Sequence, residues 1–129
     1  MPTEIAMNEW GVVTREGSCL ELRWLSTAPM TDGAFMATLC LLVWEAERAK
    51  AEALMIDARE FRHRFGDGIM AWRDANIVPR YGAAGVRKLA FVMPPSFPDV
   101  GKEAVEGPAV FPTKWFASRE DALAWLRAK

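Results

Sequence analysis

Between Trp10 and Leu25 the chain alternates. In CLELRWL, Leu20, Leu22 and Trp24 fall on one side and Glu21 and Arg23 on the other, the period-two pattern of a strand with one wet face. WGVVTR precedes it across EGS, a turn signal, so the two runs predict a hairpin. Pro29 ends the extended stretch, and Thr31 or Asp32 is placed to cap a helix over 32–50. The rhythm there changes to a near-continuous apolar cylinder. Met36, Leu39, Cys40 and Val43 form one stripe; Phe35 and Leu42 widen it on one side, Leu41 and Trp44 on the other. Only the narrow strip of Ala34, Thr38 and Glu45 is left for water in the first turns. A helix packed by one face on a sheet needs a stripe of only about 100°, so this one is expected to be covered on more than one side.

ALMIDA follows as a short continuous apolar run, the kind found in strands covered on both faces. GIMAWRDAN predicts a helix over 68–76 opened by Asp67, with Pro79 interrupting the pattern and YGAAG closing the segment. KLAFVMP is a second continuous apolar strand. The stretch 94–113, PPSFPDVGKEAVEGPAVFPT, is mostly loop, with one helical turn expected around Lys102 to Val105. KWFA is a last short strand. SREDALAWLRA is a helix with Ser118 as N-cap, Asp121 placed like the acid of a capping box, and Ala122, Trp125 and Leu126 as its apolar face. The order is ββαβαββα. Helices alternating with apolar strands imply crossover connections and partly parallel pairing. No repeat or linker divides the chain, so a single α/β domain over 1–129 is expected, a mixed β-sheet with flanking helices.

Composition narrows the function. A chain of 129 residues, half of them apolar, can bury a real core. Its net charge of −1 argues against nucleic acid as a partner. Cys19 and Cys40 lie in apolar settings without a CxxC spacing and read as buried hydrophobes in a reducing compartment. The longest apolar run, GAFMATLCLLVW, has 12 residues, short of the about 20 a membrane span needs. With no basic-plus-apolar signal in MPTEIAMNEW, a cytoplasmic location is expected.

ALMIDAREF, VRKLAFVMP and KWFASREDALAWLRA together resemble the SpoIIAA-like family within the wider STAS group. The last is the most telling: a short strand ending in Phe116, then a capped helix carrying Glu120, Ala122, Trp125 and Leu126. The resemblance covers most of the chain from about residue 10. It implies a mixed sheet flanked by helices and a non-enzymatic role, binding a partner protein or, in related folds, a lipid or other apolar small molecule. Anti-sigma-factor antagonists of this group carry a phosphorylatable Ser or Thr just after the central strand. The matching DAREFRHRFGDG has neither, so that phosphoswitch is not carried over.

Two stretches compete as sites. The first is 57–68, after a strand end, where α/β proteins commonly bind ligands. Asp57, His63 and Asp67 could serve as acid, base and orienter, yet there is no Ser, Thr or Cys from 53 to 95 to act as nucleophile. One His and scattered acids make no transition-metal site; no catalytic residue, metal or cofactor is expected. The segment 57–88 holds seven cations against four anions. Arg62, His63 and Arg64 beside a helix start would suit a phosphate or carboxylate, although Asp67 occupies the place of the anion. The bland alternative is a solvated loop.

The second candidate is apolar. Six Trp, seven Met and seven Phe first of all fill a core, but the all-round helix leaves surplus apolar surface at Leu41 and Trp44. Phe97, Val100 and Phe111 in the 94–113 loop could lie over such a surface as a lid. A non-catalytic binding domain is expected, a homodimer that takes a partner protein or an apolar small ligand. The competing possibility is an anion-binding protein or enzyme centred on 57–68.

Overall fold

A computed structural model describes residues 2–26, 28–105 and 108–128. Three strands lead the chain: β1 (Thr3–Met7), β2 (Gly11–Glu16) and β3 (Cys19–Trp24). Then come α1 (Asp32–Ala49), β4 (Ala53–Asp57), α2 (Ile69–Asn76), α3 (Val78–Ala84), β5 (Lys88–Val92), β6 (Glu103–Ala104), β7 (Thr113–Phe116) and α4 (Arg119–Arg127). The strands form one mixed sheet in the order β1-β2-β3-β4-β5-β7-β6. β3, β4, β5 and β7 run parallel to one another, while β1 and β2 at one end and β6 at the other pair antiparallel.

The two faces of the sheet follow from strand alternation. Leu20, Leu22, Trp24, Leu54, Ile56 and Leu89 join the larger core with α1 and α3. Met55, Ala90 and Val92 point the other way and meet Ala122 and Leu126 of α4. β4 and β5 are thus covered on both faces, which is why they read as unbroken apolar runs. Across the second face, Arg119 of α4 donates to both carboxylate oxygens of Glu21 at 2.6 and 3.1 Å.

The expected architecture holds, with additions and corrections. β1 is an extra edge strand with a bulge between Glu4 and Ala6. The helical turn expected around Lys102 to Val105 is instead β6, paired with Lys114 and Thr113. Gly101 adopts a left-handed φ of 93°, and its N–H donates to the Trp115 carbonyl at 2.8 Å, which draws the chain onto the sheet edge. Asp67 does not open α2: the N-cap is Gly68 at φ 83°, without a side-chain cap. Pro79 lies in the first turn of α3, where a missing N–H leaves no helix bond unmade.

The largest correction concerns α1. Its buried face is Ala34, Phe35, Thr38, Leu39, Leu42, Val43 and Ala46. Ala34 and Thr38, expected to face water, are 5 and 0 % exposed, whereas Trp44 is 56 % exposed. Cys40, expected to be buried, is exposed, and Cys19 is half-buried. Thr38 sits directly against Gly11 of β2. A Cβ on Gly11 would meet Thr38 Cγ2 at 3.1 Å, and the Thr38 hydroxyl is satisfied by Ala34 O at 2.7 Å and by the Asn8 side-chain amide at 3.0 Å.

Candidate functional site

α3 packs on α1 and α2 packs on α3, forming a helical layer on one face of the sheet. Between them lies a cavity of about 490 Å³, within the range typical of small-molecule sites. Ile56, Leu89, Phe91 and Trp115 line it from the sheet, and Met70, Val78 and Tyr81 from α2 and α3. Ala58 and Met93, just past the ends of β4 and β5, place the cavity toward the carboxyl ends of the parallel strands, where open α/β sheets bind ligands.

Aromatic rings make up much of the wall. Trp24 stacks on Phe35 at 5.5 Å and 14°, and Phe91 on Trp115 at 5.8 Å and 10°. Phe61 and Phe65 join from the loop after β4: Phe61 meets Trp24 edge-on at 4.9 Å, and Phe65 lies 4.5 Å from Phe35. This loop is tied to the start of α1. Thr31 takes the capping role, accepting from the Ala34 N–H at 3.0 Å, which leaves Asp32 free to reach outward. Asp32 accepts from His63 Nε2 at 2.6 Å and from the Gly66 N–H at 3.1 Å.

Polar groups in the lining are few. Arg73 and Asp74 neutralise each other at 3.2 Å. Tyr81 is 1 % exposed, and its hydroxyl is buried with no hydrogen-bond partner among the described residues. Burial pushes its ionisation well above the ordinary phenol value, so the phenol stays neutral, its ring in the cavity wall and its hydroxyl sealed within the protein.

The expected site residues separate. Phe97 lines the cavity. Val100 is half-buried nearby, its N–H donating to the Phe97 carbonyl at 3.2 Å. Phe111, expected on a contact surface, is 2 % exposed within the core, because its ring passes under α3 close to Gly82. Leu41 packs half-buried against the core, and Trp44 faces outward; neither lines the cavity.

The structure does not bring Arg62, His63 and Arg64 together around one point. His63 turns to Asp32. Arg62 donates to the carbonyls of Arg59 and Phe61 at 2.7 and 3.1 Å, and Arg64 is exposed. Asp57, 3 % exposed, binds Arg59 through both oxygens at 3.0 and 2.7 Å, and that hydrogen bonding raises the Arg59 pKa. The local cation excess is engaged in the same way: Arg80 pairs with Glu47, and Lys88 donates to the carbonyls of Trp125 and Ala128. Tyr81, Phe61 and Phe65 were not singled out as site residues. The available signals were two phenylalanines four residues apart in an otherwise charged loop and the chain's single tyrosine.

The sequence pattern of the SpoIIAA-like family matches residues 24–127, which takes in every segment that lines the cavity. No curated protein and no solved structure matches the chain.

Proposed function

Because this chain belongs to the SpoIIAA-like family, we propose that it acts by binding and not by catalysis, and that it holds an apolar small molecule in the cavity between α2–α3 and the sheet. The observation that carries this is the cavity itself: about 490 Å³, walled by stacked aromatic rings. Sites of this kind take ligands by apolar burial and orient them with few polar groups. The stretch where antagonists of the group carry a phosphoacceptor here supplies Phe61 and Phe65 to the cavity wall. An anion site at Arg62, His63 and Arg64 is the weaker alternative, since the His63 ring is already hydrogen-bonded to the Asp32 carboxylate. The free thiols Cys19 and Cys40 fit a reducing, cytoplasmic setting.

The test is a native mass spectrum of freshly purified protein against its denatured spectrum. Added mass that survives gentle ionisation and is lost on denaturation supports the proposal. A bare mass in both, together with no uptake of an added apolar dye, rejects it.

A second surface has its own observation. Trp44 is 56 % exposed on α1 beside exposed Cys40, an arrangement that suits a homodimer or partner contact.

A further inference from the structure

Not every ring in the cavity lining has surface to offer. Trp24 and Phe35 are 2 and 6 % exposed and belong to the core. Phe61, Phe91, Phe97 and Trp115 are half-buried, and Phe65 is 38 % exposed. Phe91 and Trp115 are register partners on β5 and β7, in line with Ile56 on β4. Alternation along β5 points Ala90 and Val92 at α4 and Phe91 at the opposite face, so the surface that Phe91 and Trp115 keep open is on the cavity side. Phe61 and Phe65 come from the loop after β4, and Phe97 from the loop after β5. Five rings from three parts of the chain thus share one space.

That lining selects among apolar molecules. Aromatic rings attract one another edge-to-face and in offset stacks beyond what their buried area contributes; a saturated molecule of the same size gains from area alone. The walls are also held in place by ring contacts of their own. Phe61 lies 5.5 Å from Phe65, Phe65 4.5 Å from Phe35, and Phe91 5.8 Å from Trp115. A rigid, flat molecule meets such walls without the ordering cost that a flexible chain carries for each bond it immobilises.

Charge finds no free counterpart there. The charged and hydroxyl-bearing side chains of the lining are Arg73, Asp74, Thr113 and Tyr81. Arg73 donates twice to one oxygen of Asp74, at 3.2 and 3.3 Å. Thr113 is neutral, and the Tyr81 hydroxyl is sealed away. An ion would exchange its hydration for a wall of rings and thioethers, which is strongly disfavoured.

We infer that this cavity is selective for an uncharged, planar molecule of fused aromatic rings over an aliphatic molecule of the same size. The inference rests on the cavity being a ligand site, as proposed above, and it makes Trp115 and Phe65 specificity residues, one from the sheet and one from the loop.

The experiment measures calorimetric affinities of the full chain for three neutral alcohols of eleven carbons. 2-Naphthalenemethanol is flat and aromatic, decahydro-2-naphthalenemethanol is its saturated counterpart, and 1-undecanol is a flexible chain. Each affinity is divided by the probe's own water-to-cyclohexane partition coefficient, which removes simple hydrophobicity. On that scale the aromatic alcohol is expected to bind about tenfold more tightly than either of the others. 2-Naphthoate and 2-naphthylmethylammonium are expected to bind more weakly than the aromatic alcohol. Trp115→Leu and Phe65→Leu keep apolar bulk while removing a ring, and each should reduce the preference several-fold. Undiminished binding of the saturated alcohol certifies an intact cavity, and Phe65→Leu, in a partly exposed loop, tests the idea independently of the sheet. Equal corrected affinities in the native chain, or tighter binding of the saturated or the linear alcohol, overturn the inference and leave the cavity as a ligand site. So does a preference that survives both substitutions, or tighter binding of either charged probe. Binding of none of the five removes the cavity proposal and the inference with it.

Discussion

His63 Nε2 stands 2.6 Å from Asp32 Oδ1 and so fastens the loop after β4 to the first turn of α1. A carboxylate only accepts, so Nε2 carries the proton. Two local features make the tie possible. Thr31 caps the helix in place of Asp32. Gly66 lets its own N–H approach the same carboxylate, since a Cβ there would lie 2.6 Å from Asp32 Oδ2. The residues on either side of His63 in the ring cluster are Phe61 and Phe65, both in the cavity wall.

Asp32→Ala and His63→Ala should therefore act on the cavity as well as on stability. The pair is partly exposed, with side chains 17 and 36 % accessible, so each variant is expected to lose only about 1 kcal/mol in urea unfolding. Dissociation of a bound apolar dye, followed by stopped flow, should quicken several-fold as the two phenylalanines loosen. Gly66→Ala should reproduce both effects by displacing the Asp32 carboxylate. Variants that lose stability while releasing dye at the native rate would show that the loop does not hold the ligand.

Arg119 and Glu21 join α4 to β3 across the other face of the sheet. Glu21 is 9 % exposed, and the two-point hydrogen bond to it is the main cause of the raised Arg119 pKa. Arg119→Ala strands a largely buried carboxylate, for a loss of about 1–3 kcal/mol. Arg119→Lys should recover only part of this, because an ammonium cannot make the forked contact. A double-mutant cycle with Glu21→Gln measures the coupling; a coupling indistinguishable from zero would mean that solvent already screens the pair.

Trp44 offers a test that separates surface from core. Exposed as it is, Trp44→Glu should leave unfolding stability within about 0.5 kcal/mol of the native chain. If α1 carries a self-association surface, the same substitution should shift sedimentation from dimer toward monomer. A native chain that sediments as a monomer at high concentration would remove the homodimer proposal and leave Trp44 to other partners.

Strands were the most legible part of this molecule, because Leu20, Leu22 and Trp24 must share a face whatever they pack against. The face of α1 was not legible from apolarity. Thr38 and Ala34 look wet by composition, yet close approach over Gly11 favours small side chains, and Thr38 satisfies its hydroxyl within its own helix turn. Cys40 and Trp44 look dry, yet they fall on the far side. β1 and β6 escaped notice because edge strands owe their form to a partner: Glu103 and Ala104 are extended only because Lys114 and Thr113 pair with them. Phe97 could be read as part of a binding surface from its place in a proline-rich loop. Tyr81 could not, since a cavity between α3 and β5 arises from how segments distant in the chain pack, and nothing local in YGAAG encodes it.

Tyr81 also supplies a direct spectroscopic test, because it is the only tyrosine in the chain. Burial raises its folded pKa above the unfolded value of about 10. Below that pH the phenol is neutral in both states and its contribution to stability is complete. As pH climbs past it the unfolded chain releases the proton and the folded chain keeps it, so stability falls by about 1.4 kcal/mol per pH unit from this group alone. Other groups titrate in the same range, including Cys19, whose pKa burial also raises. The difference between the native chain and Tyr81→Phe isolates the phenol: the variant should lack this alkaline slope. In the native protein the ultraviolet phenolate signal should emerge only together with loss of the folded circular dichroism. Phenolate forming near pH 10 with the fold intact would mean that the hydroxyl is open to water and that α3 does not seal it.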